Sequence, residues 1–323
     1  MGNNNGLKQS LSLFDATMIV AGSMIGSGIF IVTADMSRKL GSPGYVMLAW
    51  VISAIVTIIA ALSYGELAGM MPKAGGQYVY LKEAWSPLVA FLYGWTAFMV
   101  IQTGFIAAVA VAFAKFTAVF IPAFSTTNIL LDMGFLKISA GQALAIAIII
   151  IITYINSRGV EVGKIVQGIF TSTKILALAA MVITGLVIVF NGHFIHENFQ
   201  NIWHASAISD KGEVTQPSLI GWPLLAALGV AMVGSLFSSD AWNNVTFISA
   251  EIKRPGRNIP LALLFGTLMV GILYIFTNIT YLAILPVHGN PGGANVIQQG
   301  IQFAKDDRVA TAAISVLLGG AAA

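Results

Sequence analysis

The amino-acid sequence predicts an all-α polytopic membrane protein, and its composition and apolar runs carry that prediction. Of its 323 residues, 57% are apolar and only 9% are charged, and the mean hydropathy is +0.85. A water-soluble globule of this length carries far more charge. The apolar runs, such as ALAIAIIIIITYI and LLFGTLMVGILYIFTNITYLAIL, are long and do not alternate every two residues. They therefore indicate membrane helices and not barrel strands.

Eight apolar segments follow one another along the chain. They cover residues 13–36, 43–71, 86–121, 139–156, 163–190, 219–250, 260–286 and the stretch from 309 onward. Seven of them are long enough to cross a bilayer, whereas the last, VATAAISVLLGGAAA, stops short of the roughly 20 residues that a crossing needs. The sequence therefore predicts a single, partial transmembrane domain over 1–323 that is truncated in its eighth span.

The residue inventory argues against several classes of function. The chain has no cysteine, so disulfides, thiolate metal sites and a cysteine nucleophile are ruled out. The net charge of +3 is spread over many loops and offers nucleic acid no basic patch. The sequence has no cluster of histidines and carboxylates, so we expect no metal, no cofactor and no enzyme activity.

The loops predict a cell-membrane protein whose amino terminus is cytoplasmic. Short basic loops such as NSRGVEVGK and EIKRPGRNIP lie on the same predicted side as the amino terminus. Lysine and arginine in short loops favour the cytoplasmic side.

The first apolar segment contains an unusual centre, VAGSMIGSGIFIV, with Gly22, Gly26 and Gly28. One interpretation is an unwound stretch, which a membrane tolerates only where the open backbone lines a cavity or is buried in protein. The other is a face for close helix packing, because GSMIG is a small-xxx-small motif. This segment alone does not separate the two.

The sixth apolar segment favours the unwound interpretation. It is longer than a bilayer requires, and its middle reads GSLFSSDAWNNV, with Asp240 near its centre. A carboxylate at that depth must face protein or a wet cavity. Two interrupted spans that are five spans apart are typical of the discontinuous helices of two transporter repeats, with the substrate between them.

Such breaks suit a zwitterion. Opening the first span near Ser27 and Gly28 would leave free amides at a new helix amino terminus, and these attract a carboxylate. The carboxyl ends of the leading halves, near Met24 and Phe237, would offer carbonyls to an ammonium group. An α-amino acid carries both groups, so it is the expected ligand.

Four motifs then resemble a known family. GSMIGSGIF, GELAGMMPKAGGQYVYL, TSTKILALAAMVITGL and FSSDAWNNVTFISAEIKRPGRNIP occur in this order over nearly the whole chain. Together they resemble the amino acid-polyamine-organocation (APC) transporters, and most of all the bacterial members of the L-type amino acid transporter (LAT) group. The resemblance implies a five-plus-five inverted-repeat (LeuT-like) transporter fold with broken first and sixth spans. Its first repeat would cover 13–190, and an incomplete second would cover 219–323.

The resemblance also implies a substrate site. The amides of Ser27 and Gly28 would hold the carboxylate, and carbonyls of Met24, Phe237 and Asp240 would hold the amino group. Phe237 resembles the family's aromatic lid, although it could simply pack. The full set of expected substrate contacts is Ser23, Met24, Gly26, Ser27, Gly28, Phe237, Ser238, Ser239, Asp240 and Asn243.

Two departures from the family pattern have consequences. Ser238 and Ser239 replace the aromatic or small residues that are often found in the sixth-span break, which would widen the pocket or make it more polar. Animal members of the group use a cysteine to join a glycoprotein partner, and this chain has none. We therefore expect no disulfide-linked partner subunit, and the missing cysteine favours a bacterial origin.

Lys174 lies in the middle of the fifth apolar segment, too far from either interface to snorkel easily. By resemblance it matches a lysine that stands where sodium-coupled relatives bind sodium, with its ammonium group bridging the first and eighth spans. Transport would then be independent of sodium. Burial disfavours the charged form, so Lys174 could also carry a coupling proton, and a purely structural tether is an equal alternative.

The sequence thus predicts a secondary transporter of small to medium neutral L-amino acids that works by exchange or proton coupling through alternating access. An alternative substrate class is cationic amino acids or polyamines, which Asp240 would recognise. A channel is the alternative of a different class. Channels need polar residues repeated along a pore face, whereas polarity here concentrates at one depth.

Overall fold

The computed structural model describes residues 9–133, 137–157, 160–189 and 198–319. Within them the chain forms two compact units, one built from the residues up to Pro72 and from Phe170 onward, the other from Lys73–Ile169. The first unit contains the residues of the predicted substrate site. The expected cytoplasmic amino terminus falls on residues 1–8, which lie outside the described part.

The first unit opens with an interrupted span. Helix α1 covers Leu13–Met24 and helix α2 covers Gly28–Leu40, and the two are bent by 42°. A capping box starts α1, because the Ser12 hydroxyl accepts the amide of Asp15 while the Asp15 carboxylate accepts the amide of Ser12. Helix α2 is followed by its cap residue Gly41, whose φ of 56° is the left-handed conformation of many helix ends.

The remaining elements of the first unit follow in order. Helix α3 covers Pro43–Met70, and helix α8 covers Val160–Val189, of which this unit holds the part from Phe170. An antiparallel hairpin follows, made of strand β3 (Ala207–Ile208) and strand β4 (Val214–Gln216). The unit then contains helix α9 (Trp222–Ser238), a 3-10 helix (Trp242–Glu251), helix α10 (Pro255–Ile284), the short helix α11 (Val296–Gln299), a 3-10 turn (Lys305–Asp307) and helix α12 (Val309–Leu317).

The second unit is built around the predicted third and fourth spans. It contains α4, Gln77–Ala84, α5, Pro87–Thr96, a π-helical stretch, Ala97–Gln102, α6, Thr103–Phe120, a 3-10 turn, Pro122–Phe124, the antiparallel strands β1, Ile129–Asp132, and β2, Lys137–Ser139, α7, Ala140–Asn156, and the start of α8.

The observed helices agree in position with the eight predicted segments. Five helical stretches are long and apolar enough to cross a membrane, and the bent pair α1 and α2 makes a sixth. Helix α7 has only 17 residues, so it is shorter than the other spans although its sequence is as apolar. The prediction of a polytopic helical membrane protein is confirmed. The inverted repeats and the truncation stay predictions.

Helices α2 and α9 approach each other closely. A side chain at Gly28 would collide with Ser238, and one at Gly234 would collide with Val32. The close contact therefore falls on Gly28, which lies outside the GSMIG motif for which packing was predicted. Gly26 lies in the break, and Gly28 provides the close packing.

Candidate functional site

The first break is built from three residues between α1 and α2. Ile25 is extended, with φ of −72° and ψ of 90°, and Ser27 precedes the first helical residue Gly28. Within the described residues, the amides of Ser27 and Gly28 donate to no acceptor. The first amides of any helix lack intrahelical partners, and unpaired amides of this kind attract anions.

Lys174 contacts the carbonyl groups on the α1 side of this break. Its Nζ donates to the Ile25 carbonyl at 2.8 Å and to the Gly22 carbonyl at 3.3 Å. Both carbonyls lie at the carboxyl end of α1, where the last carbonyl groups of a helix have no intrahelical amide to accept. The side chain therefore has the partners that a mid-span lysine requires. Neither of these hydrogen bonds reaches the start of the predicted eighth span.

The second break separates α9 from the 3-10 helix. Helix α9 ends at Ser238, and Ala241 takes a positive φ of 67°, which is uncommon for a residue other than glycine. The chain then continues as Trp242–Glu251. The predicted interruption therefore falls at Ser239–Ala241, at the centre of the sixth apolar segment.

The carbonyls at the two breaks are more occupied than the sequence suggested. Met24 accepts the hydroxyl of Tyr274 at 3.0 Å, and Phe237 accepts the amide of Asp240 at 3.3 Å. A carbonyl oxygen has two lone pairs, so the Met24 carbonyl can accept a second donor besides the Tyr274 hydroxyl. The ammonium group of a ligand would therefore share these oxygens with the hydroxyl and amide groups that already donate to them.

Tyr274, on α10, is a site residue that the sequence analysis missed. Its hydroxyl lies 3.0 Å from the Met24 carbonyl and 3.2 Å from the Ser238 carbonyl, so one side chain touches both breaks. Tyr274 is buried and packs edge-on against Trp50, with ring centroids 5.6 Å apart. A tyrosine in the middle of an apolar span was the available signal, because a buried phenol requires a partner.

A cavity of about 330 Å³ lies beside the second break. It is lined by Val56, Thr57 and Ala60 of α3 and by Leu236, Phe237, Ser239, Asp240 and Trp242. Three predicted substrate residues, Phe237, Ser239 and Asp240, are thus brought together, and α3 adds a wall that the sequence did not predict.

The other predicted residues lie elsewhere. Ser23, Met24, Gly26, Ser27 and Gly28 do not line this cavity. Nor does Ser238, whose hydroxyl donates to the Gly234 carbonyl at 2.9 Å, or Asn243, whose carbonyl accepts the Thr246 hydroxyl. The two halves of the predicted site therefore meet through Tyr274 and the Gly28 contact with Ser238, and not within one cavity.

Within the described residues no group of three or more histidines, aspartates and glutamates could hold a metal ion. The polar groups of the site are instead backbone amides and carbonyls, one ammonium, one phenol, hydroxyls and the Asp240 carboxylate. Such a set can bind a small charged or zwitterionic molecule without metal ligands.

These observations define a polytopic helical membrane protein in which two interrupted spans meet through a shared tyrosine. A family model described as "Amino acid permease" matches residues 11–323, and the chain belongs to this family. Membership confirms the resemblance to the amino acid-polyamine-organocation superfamily. The family is one of transporters and not of enzymes.

The relatives agree with the L-type group. The chain is 31% identical to b(0,+)-type amino acid transporter 1 of Mus musculus over 280 residues, which are 86% of this chain and 52% of that protein. It is 30% identical to large neutral amino acids transporter small subunit 2 of Mus musculus, over 87% of this chain and 49% of that protein. It is 29% identical to Asc-type amino acid transporter 1 of Mus musculus, over 85% of this chain and 48% of that protein.

The chain spans about half the length of the curated relatives it matches. These three relatives are mammalian, so the expectation of a bacterial origin is not borne out.

Proposed function

We propose that this chain handles the substrate in a secondary active amino acid transporter, and that the substrate is a small to medium neutral L-amino acid. The free amides of Ser27 and Gly28 carry the proposal, because they suit a carboxylate and lie next to carbonyls that suit an ammonium group. The printed names of the relatives, which are amino acid transporters, support the same class of substrate.

The proposed mechanism is alternating access in a five-plus-five inverted-repeat fold. The two interrupted spans are the elements whose halves can change their angle at Ile25–Ser27 and at Ser239–Ala241, which exposes the site to one side at a time. Phe237 is half exposed at the cavity wall, where an aromatic lid would stand.

Transport is proposed to be independent of sodium. Lys174 already supplies a cation to the carbonyls at the end of α1, so a metal ion is not needed there. Exchange and proton coupling are both compatible with this geometry, because a lysine can hold its proton or release it.

Counterflow tests the proposal directly. The complete gene product is reconstituted in vesicles loaded with unlabelled amino acids, and entry of labelled alanine, leucine, arginine or putrescine is followed with choline in place of sodium. We expect alanine or leucine to enter and amino acid amides to compete poorly. A strict sodium requirement, or equal competition by the decarboxylated amine, would contradict the proposed site.

Cationic substrates are the second candidate, and Asp240 is the observation that favours them. Its carboxylate is exposed in the cavity wall, and no salt bridge to it is found among the described residues. If Asp240 recognises a cationic side chain, Asp240→Asn should weaken arginine or putrescine entry selectively. An equal loss for alanine and arginine would assign Asp240 to structure.

A further inference from the structure

Three cations lie close together where the 3-10 helix passes into α10. Lys253 and Arg254 form the loop, Arg257 lies in the first turn of α10, and all three residues are exposed. Within the described residues none of the three forms a salt bridge. Glu251, at the end of the 3-10 helix, is the one acidic residue between positions 251 and 258, so positive charge prevails in this segment. We call Lys253, Arg254 and Arg257 the basic triad.

Cations at the carboxyl end of α2 are instead paired within the protein. The Arg38 guanidinium lies 2.7 Å from the Asp307 carboxylate and 2.9 Å from that of Asp210. The Lys39 ammonium lies 2.6 Å from the Asp35 carboxylate. The described residues offer the basic triad no such partner, so an external anion can supply its countercharge.

The basic triad lies at the depth of the lipid headgroups. Helix α10 has 30 residues, so it is about 45 Å long, whereas the hydrocarbon core of a bilayer is about 30 Å thick. The first turn of α10 therefore extends into the headgroup layer. The two flanking spans, which end at Glu251 and begin at Pro255, leave only a short loop between them. The triad is thus held where lipid phosphates are concentrated.

The backbone of the triad is fixed, whereas its side chains make no hydrogen bond to a side chain of the described residues. The Lys253 amide donates to the Leu11 carbonyl at 2.8 Å, and the Lys253 carbonyl accepts the Asn258 side-chain amide at 2.6 Å. The Arg254 carbonyl accepts the backbone amides of Arg257 and Asn258, each at 3.0 Å. Two arginines are therefore held close together, and a guanidinium group suits the oxygens of a phosphate.

We propose that the basic triad binds the phosphate groups of anionic phospholipids, in the leaflet on the side of the membrane where α1 begins. Anionic lipids give the cytoplasmic leaflet its negative potential, and this is the side expected for the amino terminus. Each lysine or arginine near such a surface strengthens the attachment about fivefold. The lipid site lies outside the substrate cavity, and the inference does not depend on the proposed transport function.

Lipid binding in detergent tests the site without a transport assay. The complete gene product is purified, equilibrated with labelled phosphatidylglycerol or labelled phosphatidylcholine in mixed micelles and captured on a resin, and the lipid bound per protein is measured. We expect the parent to prefer phosphatidylglycerol by about tenfold or more. Arg254→Gln combined with Arg257→Gln should reduce this ratio to within about twofold of unity. A parent that binds the two lipids equally would overturn the proposal.

Lys211→Gln combined with Lys305→Gln is the matched control. It also removes two exposed positive charges, but from loops that precede α9 and follow α10, at the opposite ends of these helices from the triad. We expect this variant to keep the parent's preference within about twofold. An equal loss in both double variants would attribute the preference to total charge and overturn the site. If the Arg254 and Arg257 variant does not fold, Lys253→Gln alone decides, with an expected loss of about fivefold; no loss there would contradict the site.

Inorganic phosphate distinguishes a lipid site from a site for a free anion. The binding of phosphatidylglycerol is measured again with sodium phosphate in place of sodium chloride at the same ionic strength. We expect the amount of bound lipid to stay within about twofold, because the site lies in the headgroup layer and the lipid is also held there by its acyl chains. Displacement of most of the lipid by inorganic phosphate would overturn the assignment to phospholipid.

Discussion

At the residue scale, Tyr274 connects the two breaks through a single hydroxyl group. Its hydroxyl lies within hydrogen-bonding distance of carbonyls from both interrupted spans, Met24 and Ser238. A phenol donates only once, so the two oxygens share the donor. Any group that binds one carbonyl more strongly shifts the phenol toward the other, which couples the two breaks at their centre.

Removing this hydroxyl should impair transport more than folding. Tyr274→Phe leaves two carbonyls without their donor in a buried place, a change of about 1–3 kcal/mol that acts where the substrate would bind. We expect a loss of exchange of about tenfold or more, measured by counterflow. Tyr281→Phe is the matched control on the same helix, because its hydroxyl makes one longer bond, 3.3 Å to Ile29. Equal losses in the two variants would contradict a special role for Tyr274.

The backbone at Ala241 is the second residue-scale feature. Its φ of 67° is left-handed, which costs an L-residue about 1–2 kcal/mol and disfavours a β-branched residue still more. We expect Ala241→Gly to keep the thermal midpoint and Ala241→Val to lower it by several degrees. If both variants melt together with the parent, the break does not depend on this conformation.

Elements are positioned by the absence of side chains as much as by their presence. Helices α2 and α9 can approach because Gly28 has no side chain where Ser238 lies. Helix α9 also contains Gly229, where an added methyl group would meet nothing within 4 Å. The same type of residue therefore serves packing at one position and is replaceable at the other.

The contrast between Gly28 and Gly229 predicts that replacing glycine by alanine has opposite effects on stability at the two positions. Gly28→Ala should destabilise the protein by about 1–3 kcal/mol through overpacking, and Gly229→Ala should stabilise it by up to about 1 kcal/mol through its helix propensity. Thermal unfolding in detergent measures both. Adding Ser238→Gly to Gly28→Ala should recover part of the loss. A double variant no more stable than Gly28→Ala would place the clash elsewhere.

The elements also show what the sequence can and cannot predict. Both breaks follow from side-chain types, since Gly22, Gly26 and Gly28 weaken one helix and Asp240 cannot face lipid. The backbone pairing of Leu11 with Ile252 could not be foreseen, because both are ordinary apolar residues and their pairing lies in the backbone. Tyr274 was missed because a tyrosine in a span does not name its acceptors, which come from two distant segments.

At the scale of the whole molecule, the proposed transport cycle would depend on a charge that is fixed in the protein. Lys174 binds its carbonyls through a covalently attached ammonium group. A bound metal ion would travel with the substrate, whereas this cation stays behind as long as it keeps its proton. A neutral amino acid has no net charge, so its exchange for another moves no charge through the membrane.

The membrane voltage should therefore be without effect on that exchange. Each elementary charge that crosses gains or loses about 2.3 kcal/mol per 100 mV, so even one moving charge would change the rate visibly. Alanine-for-leucine exchange should proceed equally in vesicles with and without an imposed potassium diffusion potential, and a several-fold change would show that an ion accompanies the substrate. A cell could then equalise its pools of neutral amino acids without drawing on its electrical gradient.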